Sequence, residues 1–123
     1  MLKKIESFIV TTTDFDNAIE FFRNRLALEM PSKGAHMARF ELGGFPIFVA
    51  RADHGSANFI SIESDNIDAD YDELQRRGIE FQETIKTMKG GDRAAFFKGP
   101  AEMLFMLYQP APNAAKNDPN SAR

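Results

Sequence analysis

An α+β fold built from two βαβββ modules is what this 123-residue sequence predicts. Three observations carry it. A β-rich segment is followed by a capped amphipathic helix, two or three further β-rich segments come after that helix, and the same order returns after about residue 55 with little repetition of sequence. Each half can then form a small curved sheet with its helix packed on one side, and the other side of the sheet needs a partner. The length is that of one domain, read as residues 1–109, with module one over about 1–54, module two over about 55–109 and a mobile tail over 110–123.

β-branched and aromatic residues fill KIESFIVTTT, residues 4–13, the first strand. Thr13 or Asp14 then caps a helix over 15–27, in which Phe15, Ala18, Ile19, Phe22 and Leu26 share one stripe. PSKG breaks it off. In MARFELGGFPIFVARA two strand-like runs are joined by Gly43-Gly44, a pair suited to the positive φ angles of a tight hairpin. After the loop ADHGSAN comes the strand ANFISIES. SDNIDADYDELQRRG is the second capped helix, with Ile67, Tyr71 and Leu74 on one face and Gly78 as its stop. EFQETIKTM, a Gly90-Gly91 turn, DRAAFFK and EMLFMLYQ supply the last three strands. Beyond Gln109, PAPNAAKNDPNSAR has too little apolar content to pack.

A formal charge of −3, a pI near 5.4 and scattered basic residues leave no basic stripe, so no nucleic-acid partner is expected. With no cysteine there is no disulfide framework and no thiolate ligand, which fits a reducing cytoplasm. No apolar run approaches the ~20 residues that cross a bilayer, and the early FIV run is too short for a signal-peptide core. The chain is therefore read as cytoplasmic, without a membrane partner. Twelve phenylalanines and six methionines with no tryptophan suit a core and also an adaptable apolar pocket.

The segments IESFIVTTTDFDNAIEFFRNRLALEM, NFISIESDNIDADYDELQRRGIEF and FFKGPAEMLFMLYQ resemble the vicinal-oxygen-chelate superfamily. That superfamily includes glyoxalase I, extradiol dioxygenases, fosfomycin-resistance enzymes and bleomycin-resistance proteins. The resemblance spans residues 4–109, and in the closing turn Gly99-Pro100-Ala101-Glu102 stands where relatives usually carry aspartate-proline-aspartate-glycine. It implies a curved, half-open mixed-sheet barrel around a central cavity, with the helices outside, and a homodimer. It also implies a divalent metal held from four strand places. Those places fall on Ser7, near Phe48, on Phe59 (or Asn58 if the register slips by one) and on Met106. A hydroxyl, two phenyl rings and a thioether do not make a ligand set for such an ion, so no metal and no cofactor is expected. His36 and His54, the only imidazoles, read as surface or hydrogen-bonded histidines, with a metal held by both as the outlying alternative.

Strand alternation sorts the remaining candidates. If Met106 faces the cavity, so do Leu104 and Tyr108 in the uncharged run Met103–Tyr108, while Phe105 and Leu107 pack under the helices. By the same parity Ser7, Ile9, Phe59, Ser61 and Glu63 face the cavity. Arg39 and Glu41 alternate against Ala38, Phe40 and Leu42, and Arg93 is placed similarly before Ala95 and Phe97. The ligand-binding set is thus Ser7, Arg39, Glu41, Phe48, Phe59, Ser61, Glu63, Arg93, Leu104, Met106 and Tyr108. For Arg39 and Glu41 the competing reading is a solvated face with ion pairs; for Tyr108 it is a core cap. Glu63, if buried beside Phe59, has a raised pKa and is the candidate base; as an exposed strand-end glutamate it is not. Asp65, Asp68, Asp70, Asp72 and Glu73 are explained by capping and the helix dipole. The function read from this set is binding or sequestration of a small amphipathic or aromatic molecule. The alternative is a metal-independent isomerase, lyase or hydrolase using Glu63 with Arg39 or Arg93, and behind it a metal-dependent glyoxalase or dioxygenase with displaced ligands.

Overall fold

The structure is a computed structural model that describes residues 2–112. Its elements run β1 Leu2–Thr12, α1 Phe15–Glu20 continuing into a π-helical turn Phe21–Arg25, β2 Glu29–Lys33, β3 Met37–Leu42, β4 Phe45–Arg51, β5 Ala57–Ser64, α2 Ile67–Arg76, β6 Lys86–Thr87, β7 Arg93–Lys98 and β8 Leu104–Gln109. The α+β class and the twice-repeated βαβββ order are those the sequence predicts. Among the described residues two compact units emerge: residues 7–59, here the first unit, and the residues up to 6 with those from 60 onward, the second. The division falls inside β1 and β5, so each of those strands serves both units.

In the first unit the strand order is β2-β3-β4-β1, with β1 parallel to β4 and the other two pairs antiparallel. The Asp14 carboxylate accepts the Asn17 amide at 3.3 Å and starts α1, which turns Phe15 and Ile19 onto Ala38, Phe40 and Val49 of the sheet. Burying such side chains contributes roughly 1.5–3 kcal/mol each. The regular helix expected to residue 27 stops at Glu20. In the π turn the Leu26 amide reaches back five residues to the Phe21 carbonyl at 2.9 Å, and the extra residue swings Leu26 out to 51% exposure. Leu28, 8% exposed, takes its place in the core after Ala27 adopts φ 59°.

β2 occupies the segment read as a helix break. Pro31 lacks an amide donor, which an outermost strand tolerates. Gly43 (φ 60°) and Gly44 (φ 81°) close the two-residue hairpin, pairing Leu42 with Phe45.

The second unit orders its strands β5-β8-β7-β6, with β7 antiparallel to both neighbours. The Asn66 side chain accepts the Ala69 amide at 3.2 Å and Gln109 Oε1 accepts the Ile67 amide at 2.7 Å, so α2 is capped from its own chain and from the end of β8. Ile67, Phe97 and Leu107 form the core under it, with Tyr71, Leu74, Phe81 and Phe105 against them. The Phe97 and Phe105 rings stack at 5.1 Å, and Gly99 makes room: a Cβ there would stand 2.7 Å from the Phe105 ring.

The strand expected over 80–88 shrinks to Lys86–Thr87 and an isolated bridge from Phe81 to Phe97. Glu80, Gln82 and Glu83 are exposed there, and polar side chains along an unpaired edge favour water over a ladder. The turn Gly99–Glu102 holds Ala101 at φ 57° and Glu102 at φ 62°. At the start of the expected tail, Asp92 accepts the Ala111 amide at 2.8 Å; residues 113–123, where the rest of that tail falls, lie outside the described residues. Among the described residues no helix is long and apolar enough to cross a membrane.

Candidate functional site

Helix contacts fix which side of each sheet is which. In the first unit Val10, Phe40, Ile47 and Val49 pack with α1, so the alternate residues Ser7, Ile9, Arg39, Glu41 and Phe48 lie on the face turned away from it. Register lines three of them up: Ile9 is opposite Phe48, and Phe48 is opposite Arg39.

Arg39 is the most constrained of these. Its Nε and one terminal nitrogen donate to the same Glu41 oxygen at 2.9 and 2.6 Å, and its guanidinium lies 5.4 Å from the centroid of the Phe48 ring. The two side chains are 25% and 32% exposed, so the pair is partly screened and partly buried. Phe48 is 4% exposed and provides the apolar floor. Glu29 stands opposite Glu41 on β2, so two residues that carry carboxylates are cross-strand neighbours there.

In the second unit Leu107 and Phe97 pack with α2, and the Ser64 hydroxyl donates to Asp70 of α2 at 2.6 Å. Ser61, Glu63, Leu104, Met106 and Tyr108 therefore face away from α2, joined by Phe96, the strand partner of Met106. Phe96 escaped the sequence reading, which placed Phe97 with Arg93. Glu63 meets Lys3 at 3.4 Å, with the carboxylate side chain 15% exposed against 49% for the lysine. The Tyr108 hydroxyl donates to Asp92 Oδ2 at 2.8 Å, so Asp92 ties both Tyr108 and Ala111. Ser61 is fully buried and, among the described residues, its hydroxyl has no hydrogen-bond partner.

Arg93 is corrected. Its position in β7 is on the helix side with Phe97, and its guanidinium takes both oxygens of Asp68 at 2.7 and 2.9 Å. That hydrogen-bonded guanidinium lowers the Asp68 carboxyl below its ordinary 3.8, and Asp68 in return raises Arg93. At Asp70 burial works against the charge, and the hydrogen bonds it accepts, Ser64's among them, outweigh burial and leave its carboxyl lowered.

Ser7 is fully buried, Phe59 is 9% and Met106 6% exposed. With Phe48 these are the four places at which the resemblance sets metal ligands, and none offers a carboxylate or an imidazole. Among the described residues no three His, Cys, Asp or Glu side chains converge as a metal group, and His36 and His54 are exposed. The donor set does not fit a divalent ion.

A family model for the Glyoxalase/Bleomycin resistance protein/Dioxygenase superfamily matches residues 4–107. Among solved structures, methylmalonyl-CoA epimerase from Mycobacterium tuberculosis is similar at TM-score 0.66 and 18% identity, over 94% of this chain and 93% of that one. A glyoxalase/bleomycin resistance protein/dioxygenase superfamily member from Vibrio splendidus 12B01 gives 0.64 and 15%, over 89% and 100%. The Mn(II)-bound glyoxalase from Novosphingobium aromaticivorans gives 0.59 and 21%, over 88% of this chain and 39% of that one. At these identities the likeness is one of fold. No curated protein sequence matches the chain.

Proposed function

The chain belongs to the Glyoxalase/Bleomycin resistance protein/Dioxygenase superfamily, and from that premise we propose that it binds a small amphipathic or aromatic molecule on the sheet face turned away from α1. One observation carries this reading: the Arg39 guanidinium, paired with Glu41 and laid over Phe48, puts a polar group at the edge of an apolar floor that Ile9 extends. An apolar surface with one or two placed polar groups suits a ligand with a flat apolar body and a polar head. The four substituted metal places favour holding such a molecule over the metal chemistry of relatives.

The test is fluorescence titration with 2-naphthol, which the absence of tryptophan leaves free of background. Saturable one-to-one binding, weakened about tenfold or more by Phe48→Leu, is the expected result, since leucine keeps an apolar side chain and removes the ring face. Failure to saturate overturns the reading. A homodimer, which the family resemblance implies, is part of the proposal and is checked by light scattering.

A second reading, an enzyme with Glu63 as base, draws on its carboxylate being 15% exposed on a largely apolar face and on the fold likeness to methylmalonyl-CoA epimerase. Solvent deuterium entering the α-carbon of methylmalonyl-CoA with the native chain, and not with Glu63→Gln, would establish it.

A further inference from the structure

We propose that Glu41 occupies the Arg39 guanidinium as an internal stand-in for the carboxylate of an aromatic or amphipathic acid, so that ligands of this chain are carboxylates that exchange with it. The inference rests on the binding reading above and names the ligand class at that same face.

The hydrogen-bond geometry is its first support. A carboxylate suited to a guanidinium sets its two oxygens against two parallel N–H groups. Here both donors, at 2.9 and 2.6 Å, converge on the single oxygen Glu41 Oε2. Because Arg39 and Glu41 are two residues apart on one strand, their side chains rise side by side, and Glu41 meets the fork from its flank. A carboxylate that arrives from outside is free of that tether and can take the end of the fork with both oxygens.

Glu41 is also an occupant with a like charge against it. Glu29 is its cross-strand neighbour on β2, and like charges directly opposite repel. Leaving the guanidinium returns Glu41 to water, and its side chain is already 32% exposed. Arg39, by contrast, has a contact that does not involve Glu41: its guanidinium carbon lies 5.4 Å from the Phe48 ring centroid. The receptor half of the pair thus keeps a second contact when the anion half exchanges. Ile9 and Phe48, opposite one another in the β1–β4 pairing, and Pro46, opposite Glu41 in the β3–β4 pairing, supply the apolar surface for the body of such an acid.

The experiment compares 2-naphthoate with 2-naphthol, which share a ring system and differ in the head group, on the full-length protein and two variants. The native chain is expected to bind 2-naphthoate in preference to 2-naphthol. Glu41→Gln removes the competing carboxylate, so the naphthoate-to-naphthol selectivity should rise roughly three- to tenfold. Arg39→Met should erase the selectivity. Circular dichroism spectra confirm that each variant is folded. If both compounds bind but Glu41→Gln leaves the ratio unchanged, the exchange inference falls while the binding reading stands. If neither compound saturates, both fall together.

Discussion

Ala27 and Ala101 are exposed, lie in the left-handed region at φ 59° and 57°, and lack only the freedom of glycine. For an L-residue that conformation costs roughly 1–2 kcal/mol, because Cβ crowds the following carbonyl. Ala→Gly removes the crowding but frees the unfolded chain, returning about 0.4–1 kcal/mol to that state. The net expectation for Ala27→Gly, and separately for Ala101→Gly, is a stabilisation of about 0.5–1 kcal/mol. Neither side chain is in the core, so no packing is lost. The control is Ala69→Gly in α2, the same chemical change at an exposed helical position, which should destabilise by about 0.5–1 kcal/mol. Urea unfolding followed by far-ultraviolet circular dichroism reads the effect as a shift in midpoint at constant slope. In a thermal scan the gain is about 2–6 °C at this chain length. The sites lie in different units, so the double variant should show the sum. Refutation is simple: if Ala27→Gly and Ala69→Gly move the midpoint in the same direction, the backbone argument is wrong.

Further outcomes are expected elsewhere. Ser61→Ala should stabilise by about 1 kcal/mol, because it deletes a buried hydroxyl with no partner among the described residues, whereas Ser64→Ala should destabilise by roughly 1.5–3 kcal/mol by stripping a hydrogen bond from the Asp70 carboxylate; opposite signs in urea midpoints are the check. The Asp68 carboxyl is lowered by Arg93, so its contribution to stability is full above its unfolded value near 3.8 and fades as pH falls through the lower folded value. Unfolding curves of the native chain and Asp68→Asn should therefore differ above that range and converge in stronger acid, and a constant offset down to the lowest pH would contradict the assignment. Gly99→Ala should cost about 1–3 kcal/mol and weaken the near-ultraviolet aromatic signal, since the new methyl would push Phe105 off Phe97.

Features with local causes were the ones legible in the sequence. Gly43-Gly44 announces its hairpin through a φ requirement that no neighbour is needed to explain, and the capped segment SDN and Gly78 bound α2 through local chemistry alone, with Asn66 the residue that caps it. Arg39 and Glu41 were placed on their face because MARFEL alternates polar with apolar residues. Arg93 was misplaced because Ala94 to Phe97 are apolar without interruption, and a strand with no alternation does not reveal its phase. The π turn that ejects Leu26 left no mark at all, since the helical spacing continues through it in the sequence. Lys3 beside Glu63 and Asp92 beneath Tyr108 depend on pairings distant in the chain, which a single sequence does not display.

The outermost strands bear on how this protein behaves at high concentration. β2 carries Pro31 and Lys33, and β6 is only two residues long, Lys86–Thr87. A chain seeking to extend either sheet finds a missing donor on one side and almost no template on the other. Fibrillar growth by strand addition is therefore disfavoured at both of these strands.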